Sequence, residues 1–338
     1  MNTVLKPKIV CADHFYMTAE AMKALEAVGD LLWAEAQSED TFLTELSGAR
    51  VVISEYVRIT PRVLDASTDL RGVMVWGAGY DHVDVAAASE RGIFVANTSG
   101  SNAESVAEQA FAFILALSRR LLRANAFVEG GGWTGLSEAS LPPGLVGNDL
   151  SGKTLGIVGL GHIGRRVARI AHGFNMHVLA CDPYVPNEAA KRAGVDLAPL
   201  HTVLEDADYV TLHTVLSAET RGLIGARELA LMKPTAYLIN TSRGTVVDQR
   251  ALLEALDGRR IAGAALDVFN EEPLSTDSPL LHRDNVIVTP HYAGNSKEAL
   301  EATAMRVSEE VARMVRGEAP VSLVNRQRLE ELGFLPPT

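Results

Sequence analysis

Gly159-Leu160-Gly161-His162-Ile163-Gly164 follows the apolar run Leu155–Val158 and opens the helical stretch Arg165–Ala171. A glycine-rich loop of this form is weak evidence alone. Set between a strand and a helix, it has the context of a dinucleotide phosphate loop. Gly159 permits the tight turn, Gly161 lets backbone approach a pyrophosphate, and Gly164 allows close packing of helix on strand. The helix N-terminus adds amide donors and the positive end of a dipole. His162 and Ile163 complete the loop, and the imidazole is given no chemistry of its own. Asp182 ends the next strand-like run, His177–Cys181. An acidic residue about 20 positions beyond the loop takes the ribose hydroxyls and repels a 2′-phosphate, so the pair points to NAD over NADP.

A second set of polar residues lies at the ends of the later apolar runs: His213, Asn240-Thr241-Ser242-Arg243, Asp267 and His291. Acids stand nearby in Asn270-Glu271-Glu272-Pro273. Ligands of open α/β sheets bind beyond the carboxyl ends of the strands, so parallel strands would gather these groups in one crevice. Arg243 can pair with a carboxylate and polarise a carbonyl in a fixed fork. His291 titrates near neutrality and can pass a proton while a cofactor delivers hydride. A neighbouring carboxylate would hold the imidazolium. These are the parts needed to reduce a 2-oxo acid. Thr241 and Ser242 read as cofactor-side residues, while His213 either lines the crevice or packs in the core. No H-x-x-x-H, C-x-x-C or clustered carboxylate spacing supports a metal.

The elements that must hold these groups are legible from periodicity. Short β-branched runs alternate with stretches of helical period, as in parallel sheets covered by helices. Expected strands are Lys8–Ala12, Arg50–Ser54, Gly72–Trp76 and Ile93–Ala96, with helices over Ala19–Val28 and Asp40–Leu46. The second series is Leu155–Gly159, His177–Cys181, Tyr209–Leu212, Ala236–Ile239, Ala262–Leu266 and Val286–Val288. Between them Ala103–Arg123 predicts one long buried helix opened by a capping box of Ser101 and Glu104. Gly130–Trp133 and Leu141–Gly144 predict loop, and Lys297–Val315 a last helix. The chain is expected to leave a first domain near 103 and return near 294. That gives domains of 1–102 plus 294–338 and of 103–293, with a cleft between them.

A length of 338 residues suits about two domains. The 47% apolar and 22% charged fractions are those of an average globular protein. Forty-two acidic against 31 basic residues give a net charge of −11, which leaves no broad basic surface for nucleic acid or an anionic membrane. No run reaches the ~18 apolar residues of a membrane span, and no signal peptide is visible. Cys11 and Cys181 sit in apolar runs and read as reduced core residues, so a cytoplasmic protein is expected.

Taken in order, these motifs resemble the D-isomer-specific 2-hydroxyacid dehydrogenase family, which includes phosphoglycerate, D-lactate, glyoxylate and hydroxypyruvate reducing members. The resemblance runs from about residue 50 to residue 315. It rests on Gly77-Ala78-Gly79-Tyr80-Asp81-His82-Val83-Asp84, on Gly159–Gly164 with Asp182, and on Ile239-Asn240-Thr241-Ser242-Arg243-Gly244. It also includes Ala265-Leu266-Asp267-Val268-Phe269 leading to Glu272-Pro273, and Val288-Thr289-Pro290-His291. The resemblance implies an α/β fold of two doubly wound parallel-sheet domains, a Rossmann NAD-binding domain inserted in a flavodoxin-like substrate domain. It implies Arg243, Glu272 and His291 as catalytic residues, with Glu272 rather than Glu271 as the carboxylate. Gly77-Ala78-Gly79 looks like the backbone cradle of a substrate carboxylate, with Ala78 and Gly79 as binding residues, and Asp267 is expected to face the nicotinamide amide. One departure is visible: the family commonly has His-x-Pro where this chain has His213-Thr214-Val215. The chain ends at Thr338 without the regulatory domain of some phosphoglycerate dehydrogenases, so serine feedback is not expected.

The resulting reading is an oxidoreductase that moves a hydride between NAD(H) and a small 2-oxo or D-2-hydroxy acid. Two other readings share the fold: an NAD-binding corepressor that recruits peptides, and a formate dehydrogenase. The full Arg, Glu and His set favours an enzyme, and formate dehydrogenases generally carry Gln where Glu272 stands. The loop Ser54–Thr60, expected to face the substrate tail, offers only Arg58 beside Glu55. That favours non-phosphorylated acids such as glyoxylate, hydroxypyruvate or pyruvate, with phosphohydroxypyruvate left open. Val106, Ala107, Ala110, Phe111, Phe113, Ile114, Leu115 and Leu117 cannot share one helix face. They point to a homodimer built on the second domain, or to a helix sandwiched between the two domains.

Overall fold

The computed structural model describes residues 6–35, 38–135 and 142–337. The chain divides into two compact units, Met1–Asn102 with Asn295–Thr338, and Ala103–Gly294. Up to residue 102 the elements are β1 (Lys8–Cys11), α1 (Ala19–Val28), β2 (Asp30–Trp33), α2 (Glu39–Leu46), β3 (Ala49–Ser54), α3 (Pro61–Leu64), β4 (Gly72–Val75), α4 (Val85–Glu90) and β5 (Phe94–Ala96). There follow α5 (Ala103–Ser118), α6 (Leu121–Glu129), β6 (Thr154–Val158), α7 (His162–Gly173), β7 (His177–Cys181), α8 (Asn187–Arg192), β8 (Asp196–Leu197), α9 (Leu200–Asp206) and β9 (Tyr209–Leu212). The rest are α10 (Ala226–Leu231), β10 (Tyr237–Asn240), α11 (Gln249–Asp257), β11 (Gly263–Leu266), β12 (Val286–Val288), α12 (Lys297–Val315) and α13 (Arg326–Glu331).

The first unit holds a parallel sheet of order β2-β1-β3-β4-β5, the flavodoxin-like order. Its strands are apolar on both faces, as a doubly covered sheet requires. Alternation sends Val51, Ile53 and Met74 against Leu25 of α1 and Ala304, Val307 and Val311 of α12. Val52, Val73 and Val75 go to the opposite face, against α2, α3 and α4. The buried carboxylate of Glu310 on α12 accepts hydrogen bonds from the Val321 and Ser322 amides and the Ser322 hydroxyl, and so ties down the chain after that helix.

The second unit holds a parallel sheet of order β12-β11-β10-β9-β6-β7-β8, the Rossmann order with one added strand. The order reverses between β6 and β9, which places the crevice of an open sheet beyond their carboxyl ends. Leu155, Ile157 and Ile239 pack under α5 and α7, while Val210, Leu212 and Leu238 pack under α10 and α11.

Three expectations need correction. Strands β2 and β8 were not foreseen: both are short, carry no β-branched residue and lie at a sheet edge. The helix predicted over Ala103–Arg123 is two. Gly147 and Asn148 cross the end of α5, where Asn148 and Ser118 exchange hydrogen bonds, and Arg120 takes a left-handed conformation with φ 54°. Glu104 does not close a capping box with Ser101. Its carboxylate pairs with Arg166 and Arg169 of α7.

The wide apolar girth of α5 is accounted for inside the second unit, where Val106, Ala107, Ala110, Phe111, Phe113, Ile114 and Leu117 are all buried and the helix packs on α7, β10 and β11. The argument for a dimer from that helix therefore falls away. Both cysteines are unbridged. Burial pushes the Cys11 thiol up to about 12, whereas Cys181 is only half-buried at the end of β7. Leu141 lies outside the described residues, and the next residues form a 3₁₀ turn at Pro143–Leu145. No helix among the described residues is long and apolar enough to cross a membrane.

Removing the Glu310 carboxylate takes the acceptor from the Val321 and Ser322 amides, so Glu310→Ala should lower the unfolding free energy by about 1–3 kcal/mol. Urea unfolding followed by circular dichroism checks this through a lower midpoint.

Candidate active site

Strand register brings the polar residues together. Cys181, Val158, Leu212, Asn240, Leu266 and Val288 are aligned across six neighbouring strands. The next residues along those strands are Asp182, Gly159, His213, Thr241, Asp267 and Thr289, so one row carries five of the groups singled out in this unit, with Arg243 and His291 each two residues beyond it.

Gly159 has φ +95°, and a Cβ there would lie 2.6 Å from the His213 carbonyl oxygen. Only glycine lets the turn leave β6 that close to β9. A Cβ on Gly164 would meet the Gly159 oxygen at 2.2 Å, whereas one on Gly161 would meet nothing within 4 Å. The first contact seats α7 against its own loop, and the second leaves open space above the backbone. Asp182 is fixed at both oxygens: it accepts from the Leu160 amide at 2.8 Å and the Tyr184 amide at 2.9 Å.

Beside this loop, His213 Nδ1, Thr214 Oγ1 and Thr241 Oγ1 are buried without a hydrogen-bond partner. His213 Nε2 lies 2.9 Å from Thr211 Oγ1, and burial pushes its imidazole down to about 3. His213 is therefore neutral near pH 7. Three buried polar atoms in search of partners, next to an open glycine backbone, fit a dinucleotide. Among the described residues no three His, Cys, Asp or Glu side chains are placed to hold a metal ion.

The loops after β10, β11 and β12 carry the remaining groups. Asn240, fully buried at the end of β10, accepts from the Ser242 amide and hydroxyl and donates to the Arg243 carbonyl, shaping the turn that presents Arg243. A Cβ on Gly244 would fall 2.0 Å from the Phe269 carbonyl carbon, so the Arg243 turn touches the loop after β11. There the Phe269 amide donates to Glu272 Oε1 at 2.8 Å, and Glu272 Oε2 meets His291 Nδ1 at 2.6 Å. Burial alone would raise the Glu272 carboxyl. The His291 and Phe269 hydrogen bonds and the charges of His291 and Arg243 outweigh it and hold the group below its ordinary value. Glu271 makes no such contact among the described residues and stands exposed.

Asp267 is completely buried. Its carboxylate accepts from Thr289 Oγ1 and the Tyr292 and Ala293 amides, and its carbonyl accepts from the His291 amide at 2.8 Å. His291 itself has φ +52°. The sequence places Asn240 and Asp267 at strand ends, but not the loop-building role of either. The signal available for Asn240 was its position as an amide side chain ending a buried strand.

In the first unit, the turn after β4 is held by Thr98, which exchanges hydrogen bonds with Gly77 at 2.9 Å, and by Asn97, which donates to the Ala78 carbonyl at 2.7 Å. Gly77 has φ +116°. The Ala78 and Gly79 amides donate to no acceptor among the described residues, which leaves two N–H groups for an anion.

Residues 111–293 match the family described as D-isomer specific 2-hydroxyacid dehydrogenase, NAD binding domain. A glyoxylate reductase of Korarchaeum cryptofilum is 45% identical over 269 residues, covering 80% of each chain. The chain belongs to the D-isomer specific 2-hydroxyacid dehydrogenase family. A D-3-phosphoglycerate dehydrogenase of Methanocaldococcus jannaschii is 37% identical over 334 residues, which is 98% of this chain but 62% of that protein. Among solved structures, the D-lactate dehydrogenase of Aquifex aeolicus complexed with NAD and lactic acid superposes with a TM-score of 0.81 at 29% identity, over 96% of this chain and 98% of that one. As a D-2-hydroxyacid dehydrogenase the chain is an NAD-dependent oxidoreductase, and the open glycine backbone with its unpartnered polar neighbours is consistent with that cofactor.

The two inner glycines of this dehydrogenase separate binding from folding. Gly161→Ala should leave the melting temperature unchanged while weakening NADH by at least about tenfold, since its methyl enters only the open space. Gly164→Ala should lower both. Differential scanning fluorimetry with a fluorescence titration of NADH distinguishes the two.

Proposed function

We propose that this dehydrogenase reduces small, non-phosphorylated 2-oxo acids, with glyoxylate, hydroxypyruvate or pyruvate as substrate, and catalyses the reverse oxidation of D-2-hydroxy acids. The observation that carries the reading is the 2.6 Å contact of His291 Nδ1 with Glu272 Oε2, on a carboxylate that also feels the Arg243 charge. Arg243 pairs with the substrate carboxylate and polarises the carbonyl. Ala78 and Gly79 are read as substrate-binding residues of their own unit, through backbone amides suited to an anion. With Nδ1 engaged by Glu272, His291 uses Nε2 to protonate the carbonyl oxygen, and in the reverse direction to take the hydroxyl proton. When bound, NAD(H) supplies or accepts the hydride.

In this reading residues 103–293 form the NAD-binding domain and residues 1–102 with 294–338 the substrate domain. Backbone of Gly159, Gly161, His162, Ile163 and Gly164 holds the pyrophosphate, and Asp182 holds the ribose. His213, Thr241, Ser242 and Asp267 line the remainder of the cofactor site. Asp182 beside the ribose favours NAD over NADP. The substrate class is supported by the loop after β3: its amides at Glu55, Tyr56 and Val57 turn onto one oxygen of Asp13, and Arg58 is its one cation. Glyoxylate reductases among the relatives point the same way. Peptide recruitment and formate oxidation have no comparable support.

We also propose a homodimer. The support is α6, none of whose residues is buried. Leu121, Leu122 and Val128 on that helix, with Trp133 and Val146 beyond it, are more than half exposed, apolar side chains that a second copy of the chain would cover. The two unbridged cysteines accord with a reducing compartment, the cytoplasm.

A panel of 2-oxo acids with NADH and NADPH tests the substrate reading. Glyoxylate, hydroxypyruvate or pyruvate should give the highest kcat/KM, and NADH should exceed NADPH. Preference for phosphohydroxypyruvate would contradict the substrate class, and equal use of both cofactors would contradict the role of Asp182. In the same assay His291→Gln should lower kcat by roughly 10²–10⁴-fold while NADH still binds. Light scattering at micromolar concentration should return twice the chain mass; a monomer mass would reject the dimer.

A further inference from the structure

Loops after β7 and β9 flank the glycine loop, because both strands pair with β6. Two strand spacings separate them, about 10 Å. Across that gap Tyr184 Oη donates a hydrogen bond to Glu219 Oε2 at 2.9 Å. Each end of the bridge is anchored. On one side the Tyr184 amide donates to Asp182 Oδ1, and the other oxygen of Asp182 holds the Leu160 amide of the glycine loop. On the other side the Glu219 amide donates to Ser217 Oγ at 3.2 Å, the Ser217 amide to Thr220 Oγ1 at 2.8 Å, and Thr220 Oγ1 to the Val215 carbonyl at 2.6 Å. The bond therefore joins two fixed turns.

Tyr184 is 79% exposed and Val215 is 66% exposed, so each loop also offers an uncovered apolar side chain beside the ribose-side carboxylate. Neither Tyr184 nor Glu219 belongs to the groups that handle the substrate. We propose that Tyr184 and Glu219 form a clasp across the adenosine end of the NAD site, so that they are positioning residues that set how tightly and how long the cofactor is held. The proposal rests on the assignment of the glycine loop and Asp182 to NAD. The carboxylate of Glu219, through the hydrogen bond first and its charge second, raises the phenol above its ordinary value. The proton thus stays on Tyr184, and the donor end of the clasp is intact at neutral pH.

The test is calorimetric titration of the whole chain with ADP-ribose and with NADH, together with stopped-flow release of NADH. Tyr184→Phe and Glu219→Ala should each weaken both ligands by about three- to tenfold and speed NADH release by a similar factor. The double variant should be no worse than either single one, because both break the same bond. Glu219→Gln, which keeps an acceptor oxygen, should recover most of the loss, and ligand-free melting temperatures should stay with the wild type. Single variants that bind like the wild type, or losses that add in the double variant, would overturn the clasp. A wild type that bound neither ADP-ribose nor NADH would instead overturn the assignment of the site to NAD, and the clasp with it.

Discussion

The contact between Glu272 and His291 joins the loops after β11 and β12, and it depends on Asp267, whose carbonyl accepts the His291 amide. Asp267 carries a carboxylate with no exposure to water. A charge in that position is stable only when its oxygens are met by donors, and the donors are Thr289, Tyr292 and Ala293. The loop after β12 is thereby wrapped around the end of β11. Its backbone passes through a left-handed residue at His291, a conformation that costs about 1 kcal/mol in a non-glycine residue and that the Asp267 carbonyl helps to hold. Two residues further along, the Phe269 amide fixes Glu272, and Phe269 itself is where Gly244 brings in the turn of Arg243. Arg243, Glu272 and His291 are thus all referenced to one short stretch, Asp267–Phe269, in addition to the direct contact between Glu272 and His291.

That arrangement separates the titrating groups by role. Glu272 is held below its ordinary value against the opposing effect of burial, so it keeps its charge through the range in which a dehydrogenase is assayed. The stabilisation that comes from the Glu272 carboxylate is present above the usual carboxyl range and is lost as pH falls through its lowered value. His213 is pushed down to about 3 by burial and stays neutral. It can offer a hydrogen bond to a cofactor but no proton near pH 7. His291 is left as the imidazole that meets a carboxylate.

The chemistry-bearing residues were legible because they end buried strands, and an all-parallel sheet puts every strand end on one side. The register row from Asp182 through Gly159, His213, Thr241 and Asp267 follows from that rule. Harder to read were features set by tertiary contacts. Strands β2 and β8 are edge strands, where pairing to one neighbour substitutes for β-propensity. The end of α5 is decided by Gly147 and Asn148, some thirty residues away, which no local pattern in Ala103–Arg123 records. Glu104 had the spacing of a cap and was taken instead by two arginines of α7. Asp267 was legible as a strand-end acid, but its anchoring of the His291 loop is a tertiary contact that no local pattern records.

The most direct test is the pH dependence of kcat for reduction, measured with saturating NADH on the wild type, Glu272→Gln and Glu271→Gln. In the proposed mechanism His291 carries a proton at the start of reduction, so the wild-type rate is expected to fall as pH rises. Loss of the charge 2.6 Å from Nδ1 should move that falling limb to lower pH in Glu272→Gln, while Glu271→Gln follows the wild type. A Glu272→Gln profile that superimposed on the wild type, with Glu271→Gln displaced, would contradict the pairing on which the account rests.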